Sequence, residues 1–586
     1  MTPRPATSPL LAASPPADGE QARAVRQRAL DTARNRLLAT GLMFIVAFLV
    51  VSGRLVDLTL FNQGSGRTLA TSTDGAVDRA NILDRNGQIL ATSLPTPSVF
   101  ADPKEILDVD AAVHDLMQVF PDINRQALRK ELSGPARFVW IKRMISWDDK
   151  QKVNRLGIPG IGFVNERRRY YPSGRAAAHV LGLTNVDGQG IAGIEESFDA
   201  SLAKGEPVTL SIDIRLQQLL RDKLDRARRQ FSAIGAAGAI LDVDTGEVLA
   251  MVSLPDFDPN APVTDPKDDA RFNRITKGLY EMGSTFKVFT LAMALDTGAT
   301  TLRRGYDASR PLRIGRFTIS DYHSQNRWLS TPEVLVHSSN IGAALMALDV
   351  GTTRQRQYLQ RFGLLGRTHV ELPEVGAPQL PNPWREINTM TIAFGHGLSV
   401  TPLNLVAGVG AVVNGGLLRQ PTIIRQRPED VPPGVRVISP RTSKQMCDLM
   451  RLVVEYGTGT KADVPGYIVG GKTGTAEKIS RSGRYMRNAR IASFVGAFPM
   501  SAPRYVILAM LDEPKGDRST YNYATGGWVA APVVADVVEQ MAPILGMPPP
   551  DAEAAAKADE PKKSRAQRPS VRDAIARIQV KQFASN

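Results

Sequence analysis

A single cysteine, Cys447, stands among the 586 residues, so no disulfide can form within the chain and its redox compartment is left open. Histidine is nearly as scarce, with six. No His/Cys/Asp cluster has metal-ligand spacing, so neither a metal nor a cofactor is expected. There is no G-x-S-x-G elbow, which argues against a Ser-His-Asp triad built on His323 or His396. Beyond residue 53 no stretch is long and apolar enough to cross a bilayer, and no internal repeat is present.

What the chain does have begins with size. At 586 residues and 43% hydrophobic it is a globular protein of two or more domains. One run, Leu37 to Gly53, carries no charge between Arg36 and Arg54 and predicts a membrane helix over 37–58. Arg23, Arg26, Arg28, Arg34 and Arg36 precede it, so the positive-inside rule keeps residues 1–36 in the cytoplasm and exports the rest. A cleaved signal peptide or a buried core helix are the alternatives. The net charge of +14 is spread over both tails and the body. With the body outside the cytoplasm, nucleic acid is not an expected partner.

Residues 59–230 hold no catalytic cluster. They contain the turn Asp84-Arg-Asn-Gly87 followed by an apolar strand, then Arg169-Tyr-Tyr-Pro172 and Gly193-Ile-Glu195, and they close on a helix over Arg215–Phe231. Residues 231–546 open with the hairpin Ala236–Asp242, Thr245-Gly246, Val248–Val252. A helical middle follows, and the strands Ile491–Phe498 and Tyr505–Leu511 and a helix from Pro532 close the segment. Strands at both ends and helices between predict an α+β fold whose N- and C-terminal strands pair in an antiparallel sheet. Residues 547–586 read as a disordered tail in which Val571–Phe583 could form a short basic helix.

Three short motifs carry chemistry. Ser284-Thr-Phe-Lys287 follows Gly283 and opens an apolar helix. There the free N–H groups favour developing negative charge, and Lys287 lies one turn from the serine hydroxyl. Such a hydroxyl needs a base, and a lysine serves only if burial and a second cation, here Lys472, lower its pKa. Ser338-Ser-Asn340 precedes another apolar helix. Its hydroxyl can relay a proton and its amide can hold Lys287. Lys472-Thr473-Gly474-Thr475 lies on a glycine-bearing strand that can pair with an extended peptide. Alone, the first two would read as helix caps and the third as a surface turn; the three together in this order make a site.

That set resembles serine penicillin-binding proteins and β-lactamases. With the Arg79–Gly87, Arg169–Pro172, Gly193–Glu195 and Thr245–Ala250 segments, residues 35–545 resemble the class B penicillin-binding proteins. Thr391–Pro402 favours their division-specific branch (the penicillin-binding protein 3 type) over the elongation one. The resemblance implies a peptidoglycan D,D-transpeptidase in the bacterial inner membrane, with a periplasmic pedestal at 59–230 and a catalytic domain at 231–546. Ser284 would be the nucleophile, Lys287 the base, Ser338 and Asn340 the relay and positioning groups, and Lys472, Thr473, Gly474 and Thr475 the substrate strand. Stem peptides of nascent glycan derived from lipid II would be the substrate and β-lactams the covalent inhibitors. A glycan-polymerising membrane protein and other division proteins would be partners. A β-lactamase and a non-catalytic β-lactam sensor or scaffold are the competing readings.

Overall fold

The computed structural model describes residues 78–547 and 570–583, apart from 262–264, 266–267, 316 and 480–484, together with 41–46, 48–49 and 52. Met1–Ala76 and Val77–Asn586 are two compact units. In the first, residues 41–46, 48, 49 and 52 of the predicted span are helical; the remainder of 37–58, and the predicted tail 1–36, lie outside the described residues. No helix among the described residues is long and apolar enough to cross a membrane.

The second unit begins with a small sheet of β1 (Ile82–Leu83), β2 (Ile89–Ala101), β3 (Val139–Lys142), β4 (Ile161–Tyr170) and β5 (Val208–Thr209). Asp84 makes the predicted turn: its Oδ1 accepts the Asn86 and Gln88 N–H groups at 2.7 and 2.9 Å, and Gly87 closes it at φ +83°. Three helices, Val109–Val119, Arg125–Leu132 and Trp147–Leu156, start on the side-chain caps Asp108, Asn124 and Ser146. They cover a core of Val99, Leu116, Phe120, Leu128 and Ile141. The other motifs of this region converge on Glu195. Fully buried, it accepts from Arg79 Nε at 2.8 Å and Arg169 Nε at 2.7 Å, while Arg79 also reaches Asp199 at 2.7 Å. A buried carboxylate is tolerable only with such pairing.

The larger part is organised by a five-stranded antiparallel sheet. Its strands are β6 (Gly235–Asp242), β7 (Val248–Leu254), β8 (Gly470–Ile479), β9 (Tyr485–Phe498) and β10 (Tyr505–Asp512), in the order β8-β9-β10-β6-β7. N- and C-terminal strands therefore pair, Gly235 opposite Asp512 and Asp242 opposite Tyr505. Helices of this part that build the core and the site are α1 (Ile214–Gln230), α2 (Lys287–Asp296), α3 (Thr331–Val336), α4 (Asn340–Val350), α5 (Pro402–Val413), α6 (Pro440–Tyr456), α7 (Gly526–Val529), α8 (Ala531–Ile544) and α9 (Val571–Phe583), with two more at Thr352–Arg361 and Glu386–Ile392. Both faces of the sheet are covered, so β10 is apolar at every position from Tyr505 to Leu511. Ile507, Ala509 and Leu511 meet Leu216, Leu220, Val534 and Val538 of α1 and α8. The alternate residues Val506, Leu508 and Met510 join the core of α2, α5 and α6. Every residue of α5 is buried, as a helix apolar all round requires.

The C-terminal residues read as disordered contain, at Val571–Phe583, the helix admitted as an alternative. Ala574 and Ile575 of α9 are buried in the core cluster that includes Met446 and Leu449 of α6. Residues 548–569 lie outside the described residues.

Candidate active site

Ser284 sits in a 3₁₀ turn, Gly283–Phe286, and α2 begins one residue later at Lys287. The turn displaces the expected start of the helix. It is held between two backbones that only glycine admits. Gly283 has φ +55°, and a Cβ there would come within 2.7 Å of Thr475 O; from the other side Gly395, at φ +84°, packs directly on Gly283 O.

The three motifs converge on the amine of Lys287. Its Nζ lies 2.9 Å from Ser284 Oγ, 2.7 Å from Ser338 O, 3.1 Å from Ser338 Oγ and 2.7 Å from Asn340 Oδ1. Asn340 is oriented by donating from Nδ2 to Ser320 O at 2.9 Å, which turns its oxygen to the lysine. A neutral amine has two N–H bonds and one lone pair. The Ser338 carbonyl and the Asn340 amide oxygen, both acceptors at 2.7 Å, take the two N–H bonds. The lone pair is then left for the Ser284 hydroxyl. From β8, Lys472 Nζ donates to Ser338 Oγ at 2.9 Å and lies 3.3 Å from Thr473 Oγ1. Thr458 and Thr473 share a hydroxyl–hydroxyl bond of 2.7 Å, and the Gly526 N–H at the start of α7 donates to Thr475 Oγ1 at 3.1 Å.

Lys287 and Lys472 are both 0% exposed, and burial governs their charge. Desolvation pushes Lys287 well below the usual lysine range, the neighbouring Lys472 charge pushes it further, and Asp321 opposes. Lys472 is lowered to about 7, again by burial. A neutral Lys287 beside a readily charged Lys472 is the arrangement a base next to an anion site requires.

Gly474 contributes by its lack of a side chain. A Cβ there would meet Met282 O at 2.7 Å and Thr285 Cγ2 at 2.9 Å and would collide with Ser493 Oγ. Its absence lets β8 press against the serine turn. So all eight residues of the three motifs, Ser284, Lys287, Ser338, Asn340, Lys472, Thr473, Gly474 and Thr475, gather where strand β8 at the sheet edge meets the helical layer.

Other residues of the site carry no motif. Asp321, after the hairpin Leu312–Ile319, bonds the Ser339–Ile341 segment. Glu281 accepts the Gly397 N–H at 2.6 Å and the Tyr485 hydroxyl at 3.1 Å. His396 packs between Phe394 and Tyr485, tilted to the one ring and edge-on to the other, and burial lowers its pKa to about 4. No spacing rule connects them to Ser284; only the patterning of Phe317–Ile319 before Asp321 hints at an ordered strand. Among the described residues no group of three or more His, Cys, Asp or Glu could hold a metal ion.

Comparison with known proteins adds to this geometry. The penicillin-binding protein transpeptidase domain family matches residues 236–539, and the penicillin-binding protein dimerisation domain family matches residues 75–206. The chain is 40% identical over 542 residues to the probable peptidoglycan D,D-transpeptidase FtsI of Caulobacter vibrioides, covering 90% of this chain and 91% of that one. It is 32% identical to the peptidoglycan D,D-transpeptidase FtsI of Escherichia coli K12, covering 85% and 90%. Among solved structures, penicillin-binding protein 3 of Mycobacterium tuberculosis complexed with aztreonam superimposes with a TM-score of 0.64 at 26% identity, over 81% of this chain and 98% of that one.

Proposed function

The chain belongs to the class B penicillin-binding proteins, as a division-type peptidoglycan D,D-transpeptidase, and from that premise we propose the part each residue plays and where the enzyme sits. The observation that carries the assignment is the Lys287 amine, stripped of solvent and with its two N–H bonds engaged, 2.9 Å from Ser284 Oγ.

Ser284 Oγ attacks the carbonyl of the penultimate D-Ala of a stem pentapeptide as its proton passes to Lys287. The tetrahedral oxyanion is held by the backbone N–H groups of Ser284 and Thr475, a contribution of about 10²–10³ in rate per donor in other acyl-transfer enzymes. Lys472 and Thr473 bind the terminal carboxylate, and Asn340 fixes Lys287 and the substrate amide. The C–N bond then breaks. The proton returns from Lys287 through Ser338 Oγ to the leaving D-Ala nitrogen, and the acyl group stays on Ser284. The amine of a second stem peptide attacks that ester along the reverse proton route and forms the cross-link. A β-lactam enters as the D-Ala-D-Ala mimic and stays as an ester on Ser284. The run 37–58 anchors the protein in the inner membrane, with the body in the periplasm beside a glycan-polymerising partner and other division proteins.

Intact-mass spectrometry of the detergent-solubilised chain with benzylpenicillin tests the assignment. A mass increase of one drug molecule that persists for hours in the wild type and is missing in Ser284→Ala supports it. An adduct that clears within seconds points to a β-lactamase, and no adduct on folded protein refutes the role given to Ser284.

A further inference from the structure

Ser338 adopts φ +58°, a left-handed backbone conformation that is strained for a non-glycine residue and persists only where its surroundings enforce it. The strain has a visible use. With the peptide turned this way, the Ser338 carbonyl and hydroxyl both face Lys287, and the hydroxyl also meets Lys472. On the upstream side Ser338 follows directly on α3, through the Ser338 N–H to Leu335 O at 3.2 Å and the Ser339 N–H to Val334 O at 2.9 Å. On the downstream side the enforcing group is Asp321. Its Oδ1 accepts the N–H groups of Asn340 at 2.5 Å and Ile341 at 3.0 Å, and its Oδ2 accepts the Ser339 hydroxyl at 2.7 Å. Ser339 Oγ in turn accepts the Gly342 N–H at 3.0 Å. The first N–H groups of α4, orphans in an uncapped helix, are thus tied to one carboxylate in a separate loop. The adjoining Ser320 carbonyl holds the Asn340 side chain.

We propose that Asp321 is a positioning residue of the acylation reaction. Its carboxylate clamps the start of α4, holds Ser338 in its left-handed conformation, and places an acidic charge where it acts on the Lys287 amine. This deepens the reading of Ser284 as nucleophile and Lys287 as base and rests on it. The charged and titratable groups around Lys287 are Lys472 from β8, His396 and Glu281 from the loops behind the serine turn, and Asp321. Glu281 is taken up by Gly397 and Tyr485, and His396 is neutral near pH 7. Asp321 is therefore the counterweight to Lys472: it keeps Lys287 basic enough to take the Ser284 proton after burial and Lys472 have lowered its pKa.

The test is the pH dependence of acylation by a chromogenic cephalosporin, measured on the full chain for wild type, D321N and D321A, each with a thermal melt. D321N keeps a side chain that accepts the two N–H groups but removes the charge. Without that charge neutral Lys287 forms at lower pH, so the acid limb of the profile moves to lower pH and the plateau falls. D321A also frees Ser338, and its acylation falls by about 10–100-fold, as expected when a reacting group is displaced by up to 1 Å. A purely structural clamp would lower the rate without moving the limb. The inference is overturned if D321N shows no movement of the profile, or if D321A acylates like wild type. Should D321A fail to fold, D321N decides the matter. If the wild type itself does not acylate, the assignment of Ser284 falls instead.

Discussion

Gly474→Ala is the sharpest perturbation the site offers, because it adds one methyl group and removes no chemistry. The new Cβ would lie 2.7 Å from Met282 O and 2.9 Å from Thr285 Cγ2, where ordinary contact begins near 3.4 Å. Ser493 Oγ on β9, which also meets the new Cβ, can rotate aside; relief of the other two contacts requires the strand and the Met282–Thr285 segment to part by about 0.5–0.7 Å, and a misplacement approaching 1 Å of a reacting group costs up to about 10²-fold in rate. Over-packing costs stability by about 1–3 kcal/mol, which corresponds to a fall in Tm of about 2–6 °C for a domain of this size. The expected result is a folded protein whose second-order acylation rate with a chromogenic β-lactam is about 30–100-fold lower. Gly366→Ala is the control: nothing lies within 4 Å of a Cβ there, and neither quantity should change. A Gly474→Ala protein that acylates and melts like wild type would refute the claim that this glycine sets the distance between Thr475 and Ser284.

Other expectations follow from the same reasoning. Glu195→Ala strands the buried Arg79 and Arg169 guanidinium groups and should cost about 3–5 kcal/mol in urea unfolding of the body, against a near-neutral effect of removing an exposed pair such as Lys152–Asp148. His179 is held neutral by burial, its pKa lowered from 6.5 to about 4 in the folded protein. The unfolded chain therefore binds the proton first as pH falls, so stability is full above 6.5 and drops toward 4; His179→Gln should flatten that part of the stability–pH curve. Truncation after residue 569 deletes α9 and with it the burial of Ala574 and Ile575 in the core cluster that includes Met446 and Leu449, and should lower the unfolding free energy by about 2–4 kcal/mol at the rate expected for apolar side chains; an unchanged melt would show that α9 adds nothing.

Legibility in the sequence followed the range of the interactions. Ser284 and Lys287 are one turn apart and could be read locally, as could the turn at Asp84–Gly87; the pairing of early and late strands was legible instead from the order of strands and helices along the chain. Where the reading stopped short, a local rule met a tertiary exception. Pro95 and Pro97 argue against a strand, yet β2 runs through them to Ala101. Over 92–98 its partner is β4, with β1 reaching only to Ala91 and β3 starting at Val99, so the missing N–H groups fall on an open edge. Asp321 and Glu281 escaped because a lone carboxylate has no period or spacing; the partners of Asp321 lie 18–20 residues on and those of Glu281 116 and 204 residues on, brought back by the fold in a way local pattern does not encode. The 3₁₀ turn at Ser284 depends on Gly395, more than a hundred residues on, for its shape.

The pairing of β6 with β10 also dictates an order of events in the life of the chain. Strand β6 leaves the ribosome about 270 residues before its partner, and the edge it presents to β10 has no other strand to meet in the meantime. The apolar helices α2, α4 and α5 emerge during that interval, with the sheet face they will cover still incomplete. Contacts of such long sequence separation form slowly, and unpaired strand edges next to uncovered apolar surface are prone to aggregation. The buried pair Lys287 and Lys472 is subject to the same delay, since Lys472 reaches Ser338 only when β8 joins β9 and β9 joins β10. A chain interrupted between Lys472 and Asp512 should therefore carry Ser284, Lys287 and Lys472 yet be unable to bring the second lysine to the other two, so that acylation competence arrives late, as a property of the completed sheet.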